Sequence, residues 1–222
     1  MSPVDFALTA SLLLLVPAYT LWRSLTGKDR PPDLRSTRYI RGIALAVPLL
    51  GLLAAAWIPA GRSAAALGLD IPVGAPGQIG LGIAAVLLLV LLVATRLPGK
   101  RAAAAPDAQA AALLPETRAE WGLFFVSMPL ITTAWELLYR GYLVWALEPR
   151  LGTTLAVVLP ATAYGVAHGY RGRGQFIGTL VAALLFTLGF VLTRSLWWLI
   201  AIHVALPVIG ALAQRRLSRA AR

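Results

Sequence analysis

No cysteine occurs anywhere in the 222 residues, which excludes disulfides, thiolate metal sites and a cysteine nucleophile. Charge is scarce too: Asp, Glu, Lys and Arg make up 13% of the chain, against roughly 25% in an ordinary soluble domain. Acids number nine against twenty Lys and Arg, and there are two histidines. What fills the chain instead is apolar, with 59% hydrophobic residues and a mean hydropathy of +0.76. That excludes a disordered chain. A net charge of +11 on a soluble protein would raise the question of nucleic acid. Here the basic residues lie between long apolar runs, so they are read as a topology signal and no nucleic-acid partner is expected.

A membrane-crossing helix needs about 20 mostly apolar residues. Seven segments fit that length, near residues 6–22, 40–58, 79–95, 121–147, 151–168, 176–193 and 196–213. The first is expected to stay as an anchor: residues 1–5 hold no Lys or Arg and no small-x-small cleavage site follows. Alternate connections differ sharply in charge. Sixteen Lys and Arg fall in one set, from Arg23 to Arg41, Arg96 to Arg118, Arg171 and Arg173, and Arg215 to Arg222. The other set holds Arg62, Arg150 and Arg194. Because cytoplasmic loops collect positive charge, the N-terminus is expected outside and the C-terminus in the cytoplasm. Trp22, Trp121 and Tyr170 then mark the inner boundary, and Trp57, Trp197 and Trp198 the outer one.

The expected fold class is therefore all-α, a polytopic membrane bundle of about seven helices. It divides into three N-terminal spans with their loops (1–96), a cytoplasmic linker (97–120), a four-helix core (121–214) and a basic cytoplasmic tail (215–222). Residues 63–69 read as a short helix on the outer surface or a plain loop. The absence of an internal repeat weakens a transporter reading. The lipid bilayer is the expected surrounding, as a multi-pass protein of the cell membrane, and the alanine-rich, cysteine-free composition fits a bacterial inner membrane.

On this map seven acids, Asp5 among them, lie in loops or at segment ends, Glu148 sits at the outer hairpin, and Glu136 alone lies deep in an apolar segment. Arg140, His168 and His203 share the membrane with it. An ionisable group at the bilayer centre costs about 2.5–3.5 kcal/mol even on the mildest scale, so such residues face a partner or a wet cavity. Glu136 and Arg140 have the i,i+4 spacing at which side chains meet on one helix face, and form an expected structural ion pair. From the tight link after Glu148, Glu136 lies about 20 Å back and His168 about 25 Å on, at 1.5 Å per residue. They could meet; His203 would need helix tilt to join them.

Three strings carry a family resemblance. Trp135-Glu136-Leu137-Leu138-Tyr139-Arg140-Gly141 resembles the first motif, Glu-Glu-x-x-x-Arg, of the CPBP family of membrane proteins, the CAAX prenyl protease and bacteriocin-processing group of intramembrane endopeptidases. Tyr164-Gly165-Val166-Ala167-His168 is similar to its second motif, and Ser195-Leu196-Trp197-Trp198 leading to His203 to its third. The resemblance covers residues 116 to about 210. It implies a helical bundle with a cytoplasm-facing cavity, lined here at Trp135, Tyr139, Tyr164 and Pro207, and catalysis by Glu136, His168 and His203. In the family an acid and the second-motif His activate water for peptide hydrolysis, and the third-motif His stabilises the oxyanion. No His-Glu-x-x-His is present. Zinc could still be held by Glu136, His168 and His203, but no cofactor is expected. The implied partner is a peptide or a prenylated protein in the membrane, with prenylated C-termini and bacteriocin leaders equally open as substrates.

Two departures stand out. Trp135 replaces the family's first Glu, and Pro207 replaces the Asn or Asp four residues beyond the third-motif His. An indole cannot take a proton from water, and proline has neither a side-chain amide nor an N–H. Two readings are therefore carried forward: an active endopeptidase with Glu136 as base, His168 orienting water and His203 polarising the carbonyl, and a catalytically inactive pseudoprotease that binds a peptide as receptor or scaffold. A rhomboid-like serine protease is disfavoured because Ser127 and Ser195 lack a Gly-x-Ser-x setting.

Overall fold

The structure, a computed structural model, describes residues 1–27, 34–96 and 114–220, the last four as backbone alone. Most of the expected linker, residues 97–113, lies outside the described residues. Helix α1 runs over Pro3–Thr26 and begins where Pro3 follows the Ser2 cap, whose hydroxyl accepts from the Asp5 N–H while the Asp5 carboxylate returns to the Ser2 N–H. Helix α2 is Arg35–Trp57, α3 is Ala75–Ala94, α6 is Arg173–Thr193 and α7 is Trp197–Ala220. Between α2 and α3, Ala64–Leu67 forms a single 3₁₀ turn, capped by the Ser63 hydroxyl and closed at Gly68 (φ 84°). The short-helix alternative for residues 63–69 is the one observed.

Arg118–Ala167 is one run of 50 residues, opened by a Thr117–Glu120 capping box. It breaks at Gly152, whose φ 74° and ψ 167° are non-helical, and folds back on itself. We number its arms α4 (118–151) and α5 (153–167). The fold-back brings the Tyr139 and Tyr164 rings to 5.2 Å. Among the described residues, six helices, counting this hairpin once, are long and apolar enough to cross a membrane, and no strand occurs. The last helix extends through Ala220, so most of the expected tail continues α7.

Packing follows the hairpin. Its second half lies against α6 and α1, its first against α2 and α7, and α3 packs on α7. The buried centre is small and built from Leu8, Leu12, Leu138, Tyr139, Tyr142 and Leu143. Large apolar side chains such as Ile79, Ile83, Val86, Leu185 and Leu192 point outward, which is how a bundle meets lipid rather than water.

Asp5, expected at a segment end outside the apolar interior, is fully buried. The reason is Arg62, which reaches back from the 58–74 loop and grips both carboxylate oxygens at 2.7 Å. A bidentate charge-assisted pair of this kind makes burial tolerable. The Arg62 guanidinium also lies 4.5 Å from the Trp145 ring centre and 5.4 Å from that of Trp57. Glu148 takes Arg194 in the same bidentate way, both bonds at 2.7 Å, and Arg150 donates to the Ala146 carbonyl. Each of the three arginines on the expected outer side thus has a local partner.

The 3₁₀ turn is seated against the hairpin at Gly141. A Cβ there would come within 2.8 Å of the Leu67 carbonyl oxygen and 3.3 Å of Leu196 Cδ1. Gly141→Val should therefore cost about 1–3 kcal/mol, the usual penalty of overpacking, read as a lowered unfolding midpoint in detergent. A midpoint equal to wild type would show that the turn does not rest on this glycine.

Candidate active site

The first-motif segment is not plain α-helix. Glu136–Tyr142 forms a π-helical turn, and the Leu143 N–H bonds to the Leu138 carbonyl five residues back. Such turns are rare and concentrate at functional sites. Glu136 and Arg140 are fully buried in it, with Arg140 Nη1 2.8 Å from Glu136 Oε1, so the expected ion pair is present. His203 Nδ1 reaches the same oxygen at 2.9 Å, in an approach not aligned as a hydrogen bond. Phe186 supports that imidazole edge-on at 5.1 Å. Among the described residues, Glu136 Oε2 and Arg140 Nε and Nη2 make no hydrogen bond to protein. Arg140 is compensated on its other face by the Tyr164 ring, whose centre lies 3.9 Å from the guanidinium carbon.

His168 stands at the end of α5, one helical turn beyond Tyr164, stacked edge-on against its ring at 4.5 Å. Its Nδ1 lies 2.9 Å from the Tyr164 carbonyl oxygen. A carbonyl can only accept, so Nδ1 carries the proton and Nε2 of the neutral ring keeps its lone pair. The residue is exposed, unlike Glu136. The site therefore has a dry acid and an accessible imidazole, joined through Arg140 and Tyr164.

The remaining motif residues fall as follows. Trp135 is half-buried and its ring lies 5.8 Å from that of Tyr139. Tyr139 is fully buried and donates its hydroxyl to the Leu12 carbonyl at 3.0 Å. Tyr164 is buried between Tyr139, Arg140 and His168. Pro207 lies inside α7 one turn past His203, where a residue with an N–H would donate to the His203 carbonyl. Among the described residues, no three His, Asp or Glu side chains group as metal ligands.

Sequence reasoning placed Glu136 opposite His168 and asked His203 to tilt into reach. The structure puts His203 in direct contact with Glu136. The π turns and the burial of Asp5 were not read from the sequence, and only the proline at position 17 gave a local signal for either turn.

Residues 117–209 match the family model described as type II CAAX prenyl endopeptidase Rce1-like. The family resemblance is borne out over that stretch. No curated protein and no solved structure matches the chain. Together with six helices among the described residues that are long and apolar enough to cross a membrane, the match supports a multi-pass membrane protein whose residues 117–209 are similar to that endopeptidase family.

Proposed function

We propose that this chain is an intramembrane endopeptidase in which His168, rather than a first-motif glutamate, acts as general base. The carrying observation is that His168 is exposed and held by the Tyr164 carbonyl in the tautomer that leaves Nε2 free to accept a proton. Water attacks the scissile carbonyl carbon as its proton passes to His168 Nε2. The same proton goes to the leaving amine when the C–N bond breaks, as base catalysis followed by acid catalysis requires. His203, whose Nδ1 lies 2.9 Å from the Glu136 carboxylate, polarises the scissile carbonyl and stabilises the oxyanion. Arg140 balances the charge of Glu136. The substrate is a peptide segment in or at the membrane, including prenylated C-termini. We propose further that the chain crosses seven times, the hairpin counting as two passes, with its C-terminus on the cytoplasmic side of a bacterial inner membrane.

The complete burial of Glu136 and the indole at position 135 favour a second reading, a pseudoprotease that holds peptide without cutting it. Cleavage of a peptide panel, with and without a prenyl group, by purified protein separates the two. Wild-type cleavage supports the endopeptidase. Wild-type silence with peptide binding, and cleavage gained in Trp135→Glu/Pro207→Asn, supports the receptor. Neither cleavage nor binding rejects both.

A further inference from the structure

Helix α1 lies outside the residues that match the family model, yet it touches the π turn at two points. Tyr142 donates its hydroxyl to the Asp5 carbonyl at 2.7 Å, and Thr9 Oγ1 lies 3.1 Å from the same phenol oxygen. Tyr139 donates to the Leu12 carbonyl at 3.0 Å. The second contact has a cause inside α1. Ser11–Leu15 is itself a π turn, in which the Val16 N–H bonds to the Ser11 carbonyl. In an α-helix that N–H would serve Leu12. The next residue, Pro17, has no N–H to offer. Leu12 is fully buried, and a buried carbonyl with no donor costs about 1–3 kcal/mol. The phenol of Tyr139 fills the gap, and Tyr139 sits between Glu136 and Arg140 in the sequence.

We infer that Pro17 and Tyr139 form a lock in which a carbonyl released by the π turn of α1 fixes the π turn of α4, and with it the direction of Glu136 toward His203. Tyr139 is then a positioning residue and α1 a part of the site's frame. This rests on the reading of Glu136, His168 and His203 as the working site.

The chain's two histidines give a test that needs no turnover. In full-length protein labelled with ¹⁵N-histidine, the His203 Nδ1 resonance reports the nearby Glu136 oxygen. Tyr139→Phe should displace and broaden that resonance. In Pro17→Ala/Tyr139→Phe the helix regains an N–H at position 17, Leu12 can be satisfied within α1, and the displacement should fall by at least half relative to Pro17→Ala alone. A folded Tyr139→Phe with an unmoved His203 signal overturns the inference, as does an equal displacement in both backgrounds. Should Tyr139→Phe not fold, the double variant is expected to fold; its failure beside a folded Pro17→Ala also overturns the lock. Where the wild type cleaves peptide, Tyr139→Phe should lower kcat roughly tenfold at unchanged KM, the pattern of lost positioning. A wild type that never cleaves rejects the proteolytic reading and leaves the resonance test intact.

Discussion

Glu136→Leu is expected to lower stability by about 3–5 kcal/mol, the cost of leaving one member of a buried ion pair without its partner. The size follows from geometry. Arg140 has no exposed surface and its Nη1 bond, at 2.8 Å, goes to Glu136. Its Nε and Nη2 make no hydrogen bond among the described residues, so the Tyr164 ring face 3.9 Å away would be its main remaining compensation. Cation–π attraction gives about 2 kcal/mol when desolvated, too little to hold a buried charge alone. Arg140→Leu should be comparably damaging, because Glu136 would keep only the off-line approach of His203 Nδ1. Glu136→Leu/Arg140→Leu removes both charges and should recover most of the loss, since apolar replacement of a complete buried pair is often neutral. Thermal unfolding of the three variants in one detergent decides it. A double variant no more stable than either single would show that the pair contributes through packing and not through charge.

The helical class and the apolar runs were legible because hydropathy over about 20 residues is a local property. The Glu136–Arg140 pair was legible because i,i+4 spacing is local too. Seven segments were read where, among the described residues, six helices are long and apolar enough to cross a membrane. The difference lies at Gly152, where the chain reverses within a single run of 50 residues. Leu97 to Leu113 offered little to read beyond composition. The position of Asp5 was not legible at all. A carboxylate at position 5 reads as lying at a segment end; it completes the capping box of Ser2, and its burial depends on Arg62, fifty-seven positions away. The same holds for His203. Its contact with Glu136 arises from the packing of α7 against α4, which no spacing along either helix encodes. The π turns sit between these cases: Pro17 is a local reason for one, whereas the turn at Glu136–Tyr142 contains no proline and is supported from outside by Leu12 and Asp5.

The histidines are where the proposed chemistry is most exposed to refutation. His168→Ala should reduce peptide hydrolysis by about 10²–10⁴-fold, the usual contribution of a general base, with little change in KM because the imidazole works on water rather than holding substrate. Little loss of stability is expected, since the residue is exposed and the hydrogen bond of its Nδ1 runs to the carbonyl of its own helix. Added imidazole should restore part of the His168→Ala rate, because the exposed position lets a free base occupy the vacated space. It should not restore Glu136→Ala, whose site is closed to solvent and whose loss would leave His203 without its orienting carboxylate. That contrast assigns the proton transfer. If Glu136 were the base, His168→Ala would respond to imidazole no better than Glu136→Ala does. If Trp135→Glu raised the rate of His168→Ala but not of wild type, the carboxylate would be substituting for the imidazole, and the first-motif acid that this chain lacks would be doing the work His168 does here.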